Sequence, residues 1–159
     1  MKILGLDPGL AYTGYAIIKK EKNNIEVIKY GCLNTQAGEK IENRLNNIFK
    51  KLNKIINQYN PDKMAAENLY FCKNVSSAFK VGQTKGIINL AAAKKKIPIF
   101  EYTPLQIKQA ITGYGRASKS QVQKMLKSIL KLKKIPTPDH ASDALAVAYC
   151  CASTKEYLK

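Results

Sequence analysis

The sequence has no tryptophan, one histidine and four cysteines among its 159 residues. The cysteines include no C-x-x-C pair, and one histidine offers little for a Cys/His zinc site, so the sequence argues against such a site. Cys150 and Cys151 are adjacent in an apolar stretch that predicts a helix, where small buried thiols are common. This cysteine usage predicts a reduced protein of the cytoplasm.

Long apolar runs are also missing. No run approaches the roughly 20 apolar residues that a helix needs to span a bilayer. The apolar stretch at the N-terminus meets Asp7 after a few residues, which makes it a poor signal peptide. We therefore expect no membrane partner.

Acidic residues are scarce. The chain has 27 Lys+Arg and 11 Asp+Glu, a formal net charge of +16. Such an excess favours a polyanionic partner, with nucleic acid ahead of an anionic membrane surface, although a lysine-rich coding bias would inflate the count. The length and composition predict a single globular domain over residues 1–159.

Hydrophobic patterns predict three strands and a helix, followed by strands that alternate with helices. Hairpins among the first strands give an antiparallel part, and the later β-α-β steps give a parallel part, so we expect an α/β fold with a mixed sheet and helices on both faces. The predicted strands cover residues 2–7, 13–19, 25–33, 63–67 and 98–102; the predicted helices cover 37–59, a segment within 74–95, 103–112, 118–132 and a largely buried 137–152.

Acidic residues at the ends of buried elements are the candidates for chemistry. Asp7 ends the first predicted strand and Glu67 a later one, while His140 and Asp143 share one face of the last helix. If the two strands are neighbours, these side chains converge, and carboxylates so close repel by several kcal/mol. A divalent cation removes this repulsion, and oxygen-rich sites suit Mg²⁺ or Mn²⁺. Two such ions about 4 Å apart can clamp the attacking water and the leaving oxygen of a phosphodiester.

Each of these residues also has a structural interpretation. Asp7 before Pro-Gly can cap a turn, and Glu67 can mark where a strand meets solvent. Asp143 can pair with a lysine, and His140 can be an exposed residue of a first helical turn. The four positions together favour a functional site, because strand ends and helix starts are where α/β sheets build sites.

Four segments in order resemble one known family, the RuvC-type Holliday junction resolvases of bacteria. They are LGLDPGLAYTGYAI, AAENLYFCKNVSSAFKVGQTKG, YTPLQIKQAITGYGRASKSQVQKML and DHASDALAVAYC, and they run from Lys2 to about Cys151. The resemblance implies a ribonuclease H-like fold, a five-stranded mixed sheet flanked by helices on both faces. It also implies a homodimer that makes paired symmetric nicks in four-way DNA junctions with Mg²⁺, and docking with a RuvA-RuvB branch-migration complex.

The resemblance assigns catalytic and metal-binding roles to Asp7, Glu67 and Asp143, which match the family's acids. The family often has Asp three residues before the last acid, where this chain has His140, and some members carry His there. We expect His140 to be a nitrogen ligand or a water-orienting group, with Asp139 as the alternative. An imidazole ligand would shift the preference somewhat from Mg²⁺ toward Mn²⁺.

Three further residues match family positions that contact DNA. Lys108 and Lys119 correspond to lysines near the catalytic centre, where a cation stabilises developing negative charge. Lys119 also opens a predicted helix, where phosphates bind readily. Tyr70 corresponds to an aromatic that probes the junction centre by stacking on bases. The alternatives are solvated lysines and a core pair of Tyr70 with Phe71.

Other functions compete with the resolvase interpretation. D-P-G-x-x-x-x-G also resembles the phosphate loop of actin-like kinases, but those enzymes need a second domain that 159 residues cannot supply. A non-catalytic basic DNA-binding protein would explain the charge but not the four site residues. A relative of the same fold with another nucleic-acid substrate stays open. For the dimer surface, the sequence suggests the apolar helix around Val81 to Leu90.

Overall fold

The computed structural model describes residues 1–68 and 75–154, so Tyr70 and Phe71 lie outside the described residues. Its strands alternate with helices in the predicted order after an initial run of three strands. The strands are β1 (Lys2–Asp7), β2 (Tyr12–Glu21), β3 (Asn24–Asn34), β4 (Lys63–Glu67) and β5 (Ile99–Tyr102), and the helices are α1 (Ile41–Tyr59), α2 (Val75–Lys94), α3 (Pro104–Thr112), α4 (Lys119–Ile129) and α5 (Asp139–Ser153).

The five strands form one mixed sheet in the order β3-β2-β1-β4-β5. The hairpin-linked pairs β1–β2 and β2–β3 are antiparallel, and β1–β4 and β4–β5 are parallel. Parallel pairing requires long crossovers, which α1 and α2 supply. The predicted mixed five-stranded sheet is therefore confirmed.

Two apolar clusters cover the opposite faces of the sheet. Because side chains alternate along a strand, Ile3 of β1 faces one cluster and Leu4 faces the other. The first cluster includes residues of α3, α4 and α5, and the second includes residues of α1 and α2. Helices therefore flank both faces, as predicted.

Helix α5 lies directly on β1 and β2 because glycines leave room for it. A Cβ atom at Gly5 would overlap the backbone oxygen of Ala144 and approach the Cβ of Ala148 to 2.7 Å. A Cβ at Gly14 would likewise overlap the backbone oxygen of His140. The predicted burial of the last helix is confirmed, and its buried residues are Ala141, Ser142, Ala144, Leu145, Ala146, Val147, Ala148, Cys150, Cys151 and Ala152.

Several predicted boundaries are wrong by a few residues. Helix α1 begins at Ile41 and not at residue 37, after Gly38 adopts a φ of 88° that no helix accommodates. Helix α4 ends at Ile129 and not at residue 132, because Lys131 takes a left-handed φ of 50°. Helix α5 begins at Asp139, two residues after the predicted start.

Two helix starts have reciprocal side-chain caps. Thr103, the predicted N-cap of α3, accepts a hydrogen bond from the backbone N–H of Gln106, and the Gln106 side chain accepts one from the Thr103 N–H. Ser118 and Gln121 form the same capping box at α4. These caps satisfy N–H groups that a helix start leaves free, and they fix where Lys119 begins α4.

Within residues 1–68 and 75–154, no helix is both long enough and apolar enough to cross a bilayer.

Candidate active site

The ends of β1 and β4 bring two predicted site residues side by side. The parallel register pairs Leu6 with Ala66, so Asp7 and Glu67 follow at adjacent strand ends. Both occupy positions that alternate onto the α5 face of the sheet, because Ile3 and Ala65 pack in the cluster that contains α5. The condition on which the predicted convergence depended, neighbouring strands, is therefore met.

Helix α5 adds His140 and Asp143 to this corner. One possible ligand atom from each of Asp7, His140 and Asp143 lies within 4.8 Å of the other two. The Nδ1 atom of His140 is 2.7 Å from Oδ2 of Asp7, whose side chain is nearly buried. Two carboxylates and an imidazole so close together fit a divalent cation such as Mg²⁺ or Mn²⁺.

Glu67 does not belong to that compact group but lines the cavity beside it. The cavity has a volume of about 270 Å³ and also contains Asp143, Lys108 and Lys119. One opening thus contains two cationic side chains and two carboxylates. The rest of its lining is apolar: Ile107, Val122, Ala146 and Val147.

Burial, together with neighbouring negative charge, makes the carboxyl groups of Asp7 and Glu67 harder to ionise than free ones. Burial raises the pKa of Glu67 to about 7, and the negative charges of Asp7 and Asp143 add to the rise. Burial also raises the pKa of Asp7, although its hydrogen bond with His140 partly opposes this. Raised carboxyl pKa values in a cleft are typical of functional sites, and a bound cation would favour the ionised form of these groups.

Lys119 forms a bridge between two acids of α5. Its Nζ lies 3.0 Å from Oδ2 of Asp143 and 3.2 Å from Oδ2 of Asp139. Partial burial disfavours the charged amine, but these hydrogen bonds outweigh it and raise the pKa of Lys119. Lys119 therefore remains charged beside the carboxylates, in a position to meet an anionic substrate.

His140 and Asp139, the two alternatives for one ligand position, have different surroundings. His140 lies against Asp7, whereas Asp139 points to Lys119 and receives a hydrogen bond from Gln123 at 3.4 Å. The hydrogen bond from Lys119 lowers the pKa of Asp139, as an ordinary surface ion pair would. The geometry favours His140 as the ligand.

Of the three predicted DNA-contacting residues, the structure brings two to the site. Lys108 extends from α3 into the cavity, where its charge lowers the pKa of Glu67 against the larger effect of burial. Lys119 lies at its rim, as described above. Tyr70 lies outside the described residues, so its predicted role remains a prediction.

Sequence reasoning missed Tyr12, which lies beside the site. Its ring stacks on the His140 imidazole, with centroids 5.7 Å apart and planes at 15°. The predicted second strand began at residue 13, which left Tyr12 in a loop. The hydrophobic pattern gave no signal for it, because the ring is exposed and packs against a residue 128 positions away in sequence (140 − 12).

A second missed residue supports the end of β4. Lys85 of α2 lies 3.0 Å from the side-chain oxygen of Asn68 and 2.9 Å from a carboxylate oxygen of Glu101. The N–H of Asn68 also donates to the carbonyl of Tyr102 at 2.8 Å. These contacts fix the chain immediately after Glu67, and nothing in the spacing of Lys85 distinguishes it from the many other lysines.

Comparison with known proteins finds similar sequences over almost the whole chain. Residues 3–151 match the family model described as "Crossover junction endodeoxyribonuclease RuvC". A protein of that name from Halothermothrix orenii is 53% identical over 150 residues, 94% of this chain and 91% of the relative. One from Petrotoga mobilis is 49% identical over all of this chain and 98% of the relative.

Solved structures extend the likeness to three dimensions. RuvC of T. thermophilus in complex with Holliday junction substrate superimposes with a TM-score of 0.90 at 31% identity, covering 94% of this chain and 92% of that one. The yeast mitochondrial resolvase Ydc2 has a TM-score of 0.70 at 13% identity, which shows a shared fold alone. The expected ribonuclease H-like fold is confirmed.

Proposed function

Since the chain belongs to the family of RuvC crossover junction endodeoxyribonucleases, we propose that it resolves four-way DNA junctions. It would introduce paired symmetric nicks by hydrolysing phosphodiesters, in recombination and DNA repair. The observation that carries this proposal is the convergence of Asp7, His140 and Asp143 within 4.8 Å, beside Glu67, inside the region that matches the family.

The cation of this reaction would be held by Asp7, Glu67, His140 and Asp143. The donor set fits Mg²⁺, with two ions per site expected and Mn²⁺ as a possible substitute. When bound, the metal supplies an activated water and charge stabilisation for phosphodiester hydrolysis. Burial, with a smaller contribution from neighbouring carboxylates, raises the pKa values of Asp7 and Glu67; this supports the assignment, because a bound cation would favour the ionised form of both groups.

The chain's own cations would orient the substrate. Lys108 and Lys119 line the cavity, and their ammonium groups would donate hydrogen bonds to oxygens of the scissile phosphate. Ile107, Val122 and Val147 form an apolar wall of the same cavity, and a substrate seated against such a wall would displace water and strengthen these electrostatic contacts. We assign Tyr70 to stacking at the crossover, as the resemblance implies.

Partners follow from the same proposal. A homodimer places two active sites around a two-fold axis, which suits two symmetric nicks. Exposed apolar side chains on α2, Phe79 at 71% and Leu90 at 49%, support the predicted dimer surface. We further propose docking with a RuvA-RuvB branch-migration complex, and a cytoplasmic location, where such DNA is found.

The test compares three nucleic acids under one set of conditions. Purified protein is incubated with a synthetic four-way junction, a linear duplex and an RNA–DNA hybrid, each with and without Mg²⁺. We expect symmetric nicks in the junction only, and only with Mg²⁺. Preferential cleavage of the hybrid would replace the proposal with a ribonuclease H activity, and binding without any cleavage would favour a non-catalytic DNA-binding protein.

A further inference from the structure

Tyr12 is an exposed aromatic residue whose ring contacts the active-site histidine. Tyr12 is the first residue of β2 and is 53% exposed to solvent, so it adds little to the hydrophobic core. Its ring lies almost parallel to the His140 imidazole, with 5.7 Å between centroids and 15° between planes. The Tyr12 ring therefore stacks against the imidazole with a lateral offset.

Hydrogen bonds hold the backbone on both sides of Tyr12. The Thr13 hydroxyl donates to the carbonyl of Gly9 at 2.7 Å. Thr35 donates twice to the same loop, from its hydroxyl to the Leu10 carbonyl at 2.7 Å and from its N–H to the Ala11 carbonyl at 3.1 Å. These hydrogen bonds restrict the loop between Asp7 and β2, and they therefore also restrict the position of the Tyr12 Cα atom.

Gly14 and Tyr12 contact His140 from the same face of β2. Side chains two residues apart on a strand lie on the same face of the sheet. The Tyr12 ring therefore lies on the face of β2 where Gly14 has only a hydrogen atom. The gap at Gly14 admits the His140 backbone, and the pairing of Gly14 with Asp7 places the carboxylate next to it. The imidazole thus has Asp7 at Nδ1 and Tyr12 on its face.

We propose that Tyr12 is a positioning residue that holds the His140 imidazole in its metal-binding orientation. This inference rests on the proposed metal-dependent function. A hydrogen bond at one nitrogen leaves the ring free to rotate about that contact, whereas a stacked aromatic ring restricts this rotation. The stacking requires the ring of Tyr12 and not its hydroxyl, so phenylalanine should replace it and an aliphatic residue should not.

The first measurement uses the metal-free protein. His140 is the single histidine of the chain, so its ring signals in a ¹H–¹⁵N NMR spectrum need no assignment. Tyr12→Val keeps a strand-forming residue but removes the ring, and Tyr12→Phe keeps the ring. We expect Tyr12→Val to shift the His140 ring protons and increase their exchange broadening, with Tyr12→Phe close to the wild type. Tyr114→Val, which changes another exposed tyrosine, should leave these signals unchanged.

The second measurement is Mn²⁺ affinity, by calorimetry without DNA. Loss of one aromatic contact should weaken binding by about 2- to 10-fold in Tyr12→Val and leave Tyr12→Phe within about 2-fold of the wild type. Tyr12→Thr serves as a second ring-free variant if the valine protein loses its native spectrum.

The outcomes separate the inference from the function on which it rests. Unchanged His140 signals and unchanged Mn²⁺ affinity in Tyr12→Val would overturn the inference, whatever the activity. A wild-type protein whose His140 signals do not respond to Mg²⁺ or Mn²⁺ would instead overturn the role of His140 as a ligand. In that case the exchange broadening of the His140 signals in the metal-free proteins, which loss of the tyrosine ring current does not itself cause, still decides whether Tyr12 orients the ring.

Discussion

Asp7 is nearly buried, at 8% exposure, yet it carries a carboxylate that contacts His140 and lies close to Asp143. An asparagine there keeps the shape but removes the charge that a cation needs. We expect Asp7→Asn to reduce junction cleavage by more than about 100-fold, because even outer-shell partners of a metal cost about 10- to 100-fold.

Junction binding should survive in Asp7→Asn, since it depends on the basic surface and not on this acid. Cleavage and gel-shift assays on the same junction test both halves of the prediction. Glu26→Gln, at an exposed position of β3, is the control that should change neither. If Asp7→Asn cleaves normally, Asp7 does not have the proposed role.

The raised pKa of Glu67 gives the metal-free protein a characteristic pH dependence. Its carboxyl has a pKa of about 7 in the folded protein against an ordinary value of 4.5. Between these values the folded protein holds a proton that the unfolded chain has released, so this group favours folding less as pH rises from about 4.5 to 7. Urea unfolding with a chelator present should show this loss of stability, relative to a Glu67→Gln variant.

Metal binding should have the opposite dependence on pH. Because a cation binds the ionised carboxylate, Mg²⁺ affinity of the wild type should rise as pH passes through about 7. The Glu67→Gln protein should bind more weakly and with a shallower pH dependence. Equal slopes in the two proteins would show that Glu67 does not control this dependence.

His140 and Asp139 compete for one functional role, and their contacts predict different outcomes. His140→Ala should lose most cleavage, and His140→Asp should retain more, because an oxygen ligand remains. Asp139→Asn should cost only a few-fold, since it breaks an exposed ion pair with Lys119. Cleavage rates in Mg²⁺ and Mn²⁺ provide the measurement. An unchanged rate in His140→Ala would transfer the ligand assignment to Asp139.

Some residues of the site could be predicted from the sequence and others could not, for a physical reason. Asp7, Glu67 and Asp143 were predictable because carboxylates at the ends of apolar segments conflict with burial. Tyr12 was not predictable, because an exposed tyrosine does not stand out in the sequence as a buried carboxylate does. Its partner His140 is also distant in sequence. Lys85 was not predictable for another reason. The chain has many lysines, and the contact of Lys85 with Asn68 can be recognised only once the relative positions of β4 and α2 are known.

At the scale of elements, the position of α5 depends on two glycines in the strands beneath it. A methyl group at Gly14 would overlap the backbone oxygen of His140 and force the start of α5 away from β2. We expect Gly14→Ala to destabilise the protein by about 1–3 kcal/mol and to reduce cleavage as well, because the shift moves His140. Chemical denaturation and junction cleavage test this.

The control for Gly14→Ala is Ser120→Ala, at an exposed position of α4, which should change stability little. Loss of cleavage in Gly14→Ala at unchanged stability would still support a shift of His140. Retention of both would mean that α5 tolerates the methyl group and is not fixed by this contact.

Element types were predictable where the hydrophobic period was clear, and boundaries were not where backbone conformation decided them. The short apolar run in β1 and the helical spacing in α1 give strong patterns. In contrast, α4 continues its apolar pattern past Ile129, but Lys131 leaves the helical region. The contact of α5 with Gly14 was equally hidden, because a glycine in a strand does not reveal which element approaches it.

For the whole molecule, the distribution of charge explains how a nuclease can hold an anionic substrate beside its own carboxylates. Between Thr103 and Pro138 the chain carries eight basic residues and no acidic ones. This segment includes both Lys108 and Lys119, which line the cavity together with Glu67 and Asp143. All the charged side chains of this segment are therefore basic, which favours contact with a negatively charged nucleic-acid backbone.

The proposed two-fold assembly provides the test at the largest scale. Phe79 of α2 is 71% exposed and lines an apolar depression with Ala78, Gly82 and Gln83, as expected of a surface that a second copy covers. A charge there opposes association, so Phe79→Glu should lower the mass measured by light scattering from two protomers of 17.7 kDa to one. Leu105→Glu, a similar change on α3 at 56% exposure, should leave the dimer intact.

Loss of the dimer should also change the cleavage products. A monomer has one active site, so Phe79→Glu should yield junctions nicked in one strand, and the second nick should no longer follow quickly in the same complex. A supercoiled plasmid with an extruded cruciform distinguishes the two, because paired nicks linearise it and single nicks only relax it. Linear product from a monomeric Phe79→Glu protein would show that paired cutting does not require this surface.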